Sequence, residues 1–256
     1  MNNEGFIRAY TGILLILTTA IFCSNNILSL SGIAYLSISC NIEYNSVVTN
    51  INLLQKILDI YLILGNIILY YENAINISVV ELCFYVFVNV LYIDIDIIPL
   101  FFKCVYTIIL PTRLIFLIDN KNLLFSFNFN NQLFTFIMIC WFTDIACYIS
   151  GKLFKNPHLL NEKLGKGKTC EGIIGGYFLG ALFSVILQKL FLKNGNPELT
   201  WLLPMLSITG DIVESAVKRK LKIKDFGDVF PGHGGFLDRF DSVIFSCVII
   251  TNYINY

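Results

Sequence analysis

Four acidic residues near the end of the chain have the type and spacing of metal ligands. Asp211 and Glu214 are three residues apart, and so are Asp238 and Asp241, which places each pair on one face of a helix. Carboxylate oxygens suit a hard divalent cation. The two pairs therefore predict a cation site that two helices build together.

The segment between the acidic pairs supplies groups that suit phosphate. Ser215 and Lys218 continue the helical stripe of Asp211 and Glu214. The basic residues and the glycine-rich loop that follow are Lys218, Arg219, Lys220, Lys222, Lys224, Pro231, Gly232, His233, Gly234 and Gly235. Cationic side chains and glycine backbone both contact phosphate oxygens readily. The stretch 210–242 thus predicts a metal-assisted phosphate site between two membrane helices.

Acidic residues are also unusual in the apolar runs where several of them lie. Asp144, Asp211, Glu214 and Asp241 stand within or at the ends of such runs. An acidic residue at the centre of a membrane helix costs roughly 2.5–3.5 kcal/mol, so a functional role is the default interpretation. The alternative is a helix-end residue in interfacial water, which stays open for Asp144 and Asp241.

A second polar block joins two apolar runs. Lys168 and Thr169 open the later run, but the sequence disfavours a P-loop because Glu162 stands where its first glycine belongs and no strand precedes it. Gly176 and Gly180 have the spacing of a helix-packing motif. The lysines between 152 and 168 either contact phosphate or serve only as a topology signal and a surface for anionic lipid.

The composition indicates that lipid surrounds most of the chain. Hydrophobic residues make up 56% of the 256 residues and charged residues only 14%, whereas a soluble domain carries about 25% charged residues. The net charge of zero gives no indication of a nucleic-acid partner, and we expect none. The eight cysteines are scattered without a C-x-x-C pair, so we expect neither a disulfide nor a zinc site.

Nine apolar stretches have the length, or nearly the length, of a membrane-spanning helix. They are residues 7–24, 27–41, 57–72, 77–94, 97–118, 131–150, 171–192, 199–217 and 237–254. The first resembles a secretory signal, but no convincing cleavage site follows, so we interpret it as a retained helix. Tracts at 41–52, 120–131 and 194–198 are expected to be turns.

These stretches predict an all-α fold, a polytopic integral membrane bundle with eight or nine transmembrane helices. We expect a single membrane-embedded domain over 1–256. Its N-terminal helices, 1–130, would form the scaffold of a lipid groove, and residues 131–256 would form the catalytic half.

The positive charges orient this bundle. Eleven of the 18 Lys and Arg residues lie in two segments, 152–168 and 218–239, which two predicted spans separate. An even number of crossings places both segments on one side, which the positive-inside tendency makes cytoplasmic. We therefore expect a multi-pass protein of the cell (inner) membrane, with its active site facing the cytoplasm.

The polar residues of the last third resemble the signature of phosphatidate cytidylyltransferases, also called CDP-diacylglycerol synthases. The matching positions are Ser215-x-x-Lys218-Arg219, Lys224-Asp225 and Pro231-x-His233-Gly234-Gly235-x-x-Asp238-Arg239-x-Asp241. The block from Asp144 to Gly151, with Lys168 to Gly176, is similar to a second block of that family. It departs from the family at Cys147, where alanine is usual, at Lys155, where glycine is expected, and at 165–167.

The resemblance implies that phosphatidate attacks the α-phosphorus of CTP, giving CDP-diacylglycerol and pyrophosphate. It implies Mg²⁺ as cofactor, in a two-metal arrangement, with Asp211 and Asp238 as principal ligands and Asp241, Glu214 and Asp144 beside them. The implied catalytic residues are Asp211, Lys218, Arg219, Asp238 and Arg239. The implied nucleotide- or phosphate-binding residues are Lys168, Thr169, Ser215, Lys224, His233, Gly234 and Gly235. Lys220 and Lys222 are not fixed in the pattern, and we expect them to contribute charge rather than contacts.

Two other functions compete with this interpretation. A CTP-using polyprenol kinase would transfer the γ-phosphate instead of the cytidylyl group. A transporter for an anionic solute would show broken helices in two related halves, whereas the polar residues here crowd into the C-terminal half. We favour the cytidylyltransferase, with CTP and phosphatidate as its substrates, and expect a homodimer.

Overall fold

The computed structural model describes residues 3–47, 53–71, 103–118, 129–153, 158–159, 168–192, 197–232 and 234–249. Its main helices are α1 (Asn3–Phe22), α2 (Asn26–Val47), α3 (Leu53–Tyr71), α4 (Asn131–Leu153), α5 (Cys170–Phe191), α6 (Pro197–Lys220) and α7 (Leu237–Ser246). Over these ranges the only strand-like pairings are two isolated bridges, Leu159 with Thr169 and Phe230 with Gly234. The all-α prediction is confirmed for this part of the chain.

Shorter helical pieces complete the described backbone. A π-helix at Cys104–Ile109 continues into an α-helical turn at Leu110–Thr112 and a 3₁₀-helix at Arg113–Leu117. Another 3₁₀-helix, Cys247–Ile249, follows α7. The predicted span 77–94 and the beginning of the span 97–118 lie outside the described residues.

Two of the described helices, α4 and α5, have the length and apolar composition needed to cross a membrane, judged on those two criteria alone. The number of spans therefore stays a prediction.

The predicted end of the second helix was wrong. The tract 41–52 was expected to be a turn, yet α2 runs for 22 residues and ends at Val47. Two of its asparagines have tertiary partners: the buried Asn41 donates from Nδ2 to Thr107 Oγ1 at 3.2 Å, and the partly buried Asn45 donates from Nδ2 to Asp59 Oδ2 at 3.2 Å. Tertiary hydrogen bonds of this kind override the turn preference of asparagine.

The chain divides into two compact units. The first unit comprises Met1–Asn130, Phe226–Leu237 and Cys247–Tyr256, and the second comprises Asn131–Asp225 and Asp238–Ser246. In the first unit, Leu62, Ile63 and Ile108 form a buried apolar cluster. The same unit contains a buried ion pair, in which Lys103 Nζ lies 2.7 Å from Asp59 Oδ2.

In the second unit, glycines let α4 and α5 lie unusually close. A Cβ atom added to Gly176 would stand 2.1 Å from Cys147 Sγ, and one added to Gly180 would stand 2.5 Å from Thr143 Oγ1. The packing interpretation of Gly176 and Gly180 is thereby confirmed. The Phe142 and Phe183 rings, stacked with centroids 3.6 Å apart, join the same two helices.

Candidate active site

Helix α6 carries the predicted acidic stripe and ends in the basic cluster. Glu214 is fully buried and Ser215 nearly so, while Asp211 is partly exposed. Positions 211, 214, 215 and 218 share one side of the helix because they are three or four residues apart. The helix thus presents both acidic side chains and Lys218 to the same neighbours.

Lys218 links the two acidic pairs. Its Nζ atom lies 2.6 Å from Glu214 Oε2 and 2.9 Å from Asp238 Oδ1. Burial lowers the pKa of the Lys218 ammonium, but the charges of Glu214 and Asp238 outweigh that effect and hold the pKa above its ordinary value. Lys218 is therefore a cation that holds α6 and the start of α7 together.

The close approach of α6 to α7 depends on Gly210. A Cβ atom there would stand 2.6 Å from Phe245 Cβ and 2.9 Å from the Asp241 carbonyl oxygen. Asp211 follows Gly210 directly, so it lies next to the point where α6 contacts α7. Asp241, on that helix, is nearly buried and interacts electrostatically with Asp211.

Asp144 joins the cluster from α4. Its carboxylate accepts hydrogen bonds from Ser207 Oγ at 3.2 Å and from Ser242 Oγ at 2.6 Å. It also interacts electrostatically with Asp241 and Asp211. Carboxylates on α4, α6 and α7 thus lie close enough to interact electrostatically. The spacing of the acidic residues in the sequence predicted this only for α6 and α7.

Lys168 and Thr169 stand just before α5. The Lys168 ammonium forms an ion pair with Asp211 Oδ2. Thr169 is the N-cap of α5, where its Oγ1 atom accepts a hydrogen bond from the Gly172 amide at 3.1 Å. Lys168 is therefore part of the cluster, and the hydroxyl oxygen of Thr169 has a structural role; phosphate contact by either residue stays a prediction.

Arg239 lies beside Asp238 at the start of α7. The Trp141 Nε1 group donates a hydrogen bond to the Arg239 carbonyl oxygen at 2.9 Å, which fixes this turn against α4. The Arg239 Nε atom is buried and has no hydrogen-bond acceptor among the described residues. Arg219, in contrast, is exposed and donates from Nη1 to the Ile223 carbonyl oxygen at 3.1 Å.

The remaining residues predicted to bind phosphate lie in the segment that follows α6. Lys224 is exposed, His233 lies outside the described residues, and Gly234 and Gly235 belong to the first unit. Gly234 has a φ of 84°, a left-handed conformation that favours glycine. Their contact with phosphate stays a prediction.

The donor set fits a divalent cation in its chemistry. All five predicted ligands are carboxylates, and two ammonium groups, Lys168 and Lys218, pair with three of them. The Oε1 atom of Glu214 is buried and accepts no hydrogen bond from the described residues. Within the described ranges, no three acidic, histidine or cysteine side chains converge closely enough to enclose an ion.

Two hydroxyl groups of the cluster, those of Ser207 and Ser242, were not predicted from the sequence. Ser207 lies four residues before Asp211 and therefore on the same stripe of α6, and Ser242 lies four residues after Asp238 on α7. That spacing was the available signal. A serine on a membrane helix is too common for the spacing alone to identify its partner, Asp144.

The chain is similar to a known family and to several named proteins. Residues 6–256 match the Cytidylyltransferase family. The chain is 36% identical over 151 residues to a phosphatidate cytidylyltransferase of Aquifex aeolicus, which covers 58% of this chain and 55% of that protein.

Staphylococcal relatives give a similar result. A phosphatidate cytidylyltransferase of Staphylococcus epidermidis is 39% identical over 120 residues, covering 44% of each chain. One of Staphylococcus aureus is 40% identical over 114 residues, covering 42% of this chain and 43% of the relative. The alignments thus span about half the length of these curated relatives. Since the family match extends over nearly the whole sequence, the chain belongs to the Cytidylyltransferase family.

Proposed function

We propose that this protein transfers the cytidylyl group of CTP to phosphatidate, giving CDP-diacylglycerol and pyrophosphate for phospholipid biosynthesis. The observation that carries the proposal is the carboxylate cluster of the second unit, in which Lys218 contacts both Glu214 and Asp238 and Lys168 contacts Asp211. Carboxylates and cationic groups at one place suit a reaction between two anionic substrates.

In this proposal the cationic side chains hold phosphate. Lys168 and Lys218 would exchange a carboxylate partner for a phosphate oxygen when CTP binds. Arg239 has a buried Nε donor without an acceptor among the described residues, and a guanidinium can hold two phosphate oxygens at once. Arg219, exposed at the end of α6, would contact the outer phosphates.

The carboxylates would hold Mg²⁺, with Asp211 and Asp238 as principal ligands and Asp241, Glu214 and Asp144 as further ligands or their supports. When bound, the cation supplies charge neutralisation for the pyrophosphate leaving group. Ser207 and Ser242 orient Asp144 by donating hydrogen bonds to its two carboxylate oxygens. The support for this assignment is the excess of carboxylates over ammonium groups in the cluster.

The protein residues need not abstract a proton. A phosphate oxygen of phosphatidate is already an anion, so it attacks the α-phosphorus of CTP directly, and the bond from that phosphorus to the bridging oxygen breaks as pyrophosphate leaves. The residues of the cluster therefore act by positioning the substrates and by electrostatic stabilisation of the charge on the leaving group.

The acyl chains of phosphatidate require a membrane setting. We infer a multi-pass protein of the cell (inner) membrane whose carboxylate cluster faces the cytoplasm, where CTP is found. The apolar helices α4 and α5 support this placement. A homodimer is part of the same proposal, and cross-linking of the purified protein in detergent tests it.

The decisive experiment combines the purified protein with phosphatidate, Mg²⁺ and CTP labelled at the α-phosphorus. We expect label in the lipid and release of pyrophosphate only when all components are present. Label that reaches the lipid from γ-labelled CTP instead would establish a kinase and overturn the proposal.

The matched variants for this assay are Asp211→Asn and Asp228→Asn. Asp211 pairs with Lys168 in the cluster, whereas Asp228 is exposed and lies outside the family signature. Asp211→Asn should abolish label transfer and Asp228→Asn should leave it unchanged. Full activity of a correctly inserted Asp211→Asn protein would contradict the assignment of this carboxylate.

A further inference from the structure

A buried glutamate of the first unit, Glu43, holds the backbone at the start of α7. Glu43 lies on α2 and is only 7% exposed. Its Oε1 atom accepts a hydrogen bond from the Phe236 amide at 2.7 Å, and its Oε2 atom accepts one from the Leu237 amide at 2.9 Å. The donors are 193 and 194 residues away in the sequence.

Two glycines make room for this carboxylate. A Cβ atom at Gly235 would stand 2.5 Å from each oxygen of Glu43, and one at Gly227 would stand 2.9 Å from Oε1. The ends of the loop between these glycines therefore close directly on the carboxylate. The Tyr44 and Phe226 rings, with centroids 5.9 Å apart, add an apolar contact between α2 and the same loop.

The geometry is that of a helix cap supplied by a distant residue. The first amides of a helix have no partner within the helix, and a carboxylate there satisfies them and interacts favourably with the helix dipole. α7 begins at Leu237, so Glu43 acts at its first turn. Because Glu43 occupies the amides of Phe236 and Leu237, these amides are not available to bind phosphate.

We propose that Glu43 is a positioning residue for Asp238, which follows Leu237 directly on α7. By fixing the backbone of Phe236 and Leu237, Glu43 sets where the Asp238 carboxylate stands and so supports the affinity for Mg²⁺. This inference rests on the proposed function, since it takes Asp238 as a cation ligand. It gives an N-terminal residue outside the family signature a role in the reaction.

The test measures Mg²⁺ binding separately from activity. Trp141 donates its hydrogen bond to the first turn of α7, at Arg239, so its fluorescence in a Trp201→Phe background reports on this turn during a Mg²⁺ titration. Glu43→Gln places an amide NH₂ against a backbone N–H. We expect the half-saturating Mg²⁺ concentration to rise about 10- to 100-fold, as for loss of other residues that orient metal ligands.

The controls separate positioning from general stability. Ser31→Ala, on the same helix, removes an exposed hydrogen bond to Leu28 and should change neither titration nor kcat. Gly227→Ala presses on the carboxylate without deleting it, and should give a smaller shift that is not additive with Glu43→Gln. If Glu43→Gln fails to fold, Glu43→Asp and Gly227→Ala decide the question by the same titration.

The outcomes are distinct. Faster hydrogen exchange of the Phe236 and Leu237 amides with an unchanged Mg²⁺ titration would make Glu43 a cap only and overturn the proposal. If Glu43→Gln shifts the titration but the wild-type protein transfers no label from CTP, the positioning role is retained and the proposed function is rejected. A wild-type protein whose Trp141 fluorescence does not respond to Mg²⁺ would overturn the role of Asp238 on which the inference depends.

Discussion

Lys218 pairs with two carboxylates that are buried from water. Glu214 is fully buried, and the Asp238 side chain is only 1% exposed. An ion pair in such surroundings has a large desolvation cost, so its loss exposes an uncompensated charge rather than merely removing an attraction. If Lys218 binds phosphate as proposed, its loss affects both stability and activity, and only a change of both partners in the ion pair separates the two effects.

Lys218→Met is expected to destabilise the protein by about 3–5 kcal/mol, because it leaves Glu214 and Asp238 charged and buried. The double variant Glu214→Gln/Lys218→Met removes one of these charges and should recover part of that stability. Thermal unfolding in detergent measures both effects. On the proposed function, cytidylyl transfer should be absent in the double variant, since the ammonium group proposed to bind phosphate is gone. Recovery of activity together with stability would assign Lys218 a structural role alone.

Lys222 is strained by its position after α6. It is the only non-glycine residue with positive φ in the described ranges, at 60°. A left-handed backbone conformation costs an L-residue about 1–2 kcal/mol. Glycine avoids this cost, but it loses more conformational entropy on folding, which offsets part of the gain. Lys222→Gly should therefore stabilise the protein by up to about 1 kcal/mol. A retained kcat/KM for CTP would agree with a lysine that makes no phosphate contact, whereas a large loss would contradict that expectation.

At the scale of elements, the sequence predicted the bounds of the long apolar helices well. The helices α4, α5 and α6 begin and end within three residues of the predicted stretches, because long apolar runs with few breakers determine them. The predicted end of α2 was wrong because Asn41 and Asn45 form hydrogen bonds with residues of other elements. Such partners are distant in sequence, and no local rule reports them.

Gly176 sets the distance between α4 and α5. The Gly176→Ala methyl group would stand 2.1 Å from Cys147 Sγ and 2.9 Å from the Cys147 backbone, so we expect a loss of about 1–3 kcal/mol in unfolding free energy. Gly12→Ala is the matched control, because nothing lies within 4 Å of that added methyl group. Thermal unfolding of both variants measures the difference.

The departure from the family at Cys147 sharpens this prediction. Cys147→Ala removes the sulfur that stands nearest to Gly176 but leaves the backbone contact at 2.9 Å. Added to Gly176→Ala, it should restore part of the lost stability. Complete rescue would mean that only the Cys147 sulfur causes the loss of stability, and no rescue would mean that only the Cys147 backbone does. Either result would contradict the prediction.

At the scale of the whole molecule, the sequence predicted the charged residues of the candidate site better than the residues that hold them in place. The stripe of Asp211, Glu214 and Lys218 follows from helical periodicity. The hydrogen bonds from Ser207 and Ser242 to Asp144, and the capping of α7 by Glu43, join residues 63 to 194 positions apart. Contacts over such distances depend on the tertiary fold, which the periodicity of one chain does not contain.

The proposed orientation of the chain in the membrane predicts which lysines face the cytoplasm. The lysines at the end of α4 and at the end of α6 are separated by α5 and α6, two predicted crossings, so both should face the cytoplasm. Lys193, which lies between those two predicted spans, should face the opposite side. Lys152 and Lys220 are exposed and accessible to a reagent.

A membrane-impermeant amine reagent compares these lysines with a single chemistry. In right-side-out vesicles it should modify Lys193 and spare Lys152 and Lys220, and in inverted vesicles the pattern should reverse, as read by mass spectrometry of the purified protein. Detergent-solubilised protein, in which all three should react, controls for intrinsic reactivity. Modification of Lys152 and Lys220 from opposite faces would mean an odd number of crossings between them, and the carboxylates of α6 could not then share a cytoplasmic site with Lys168.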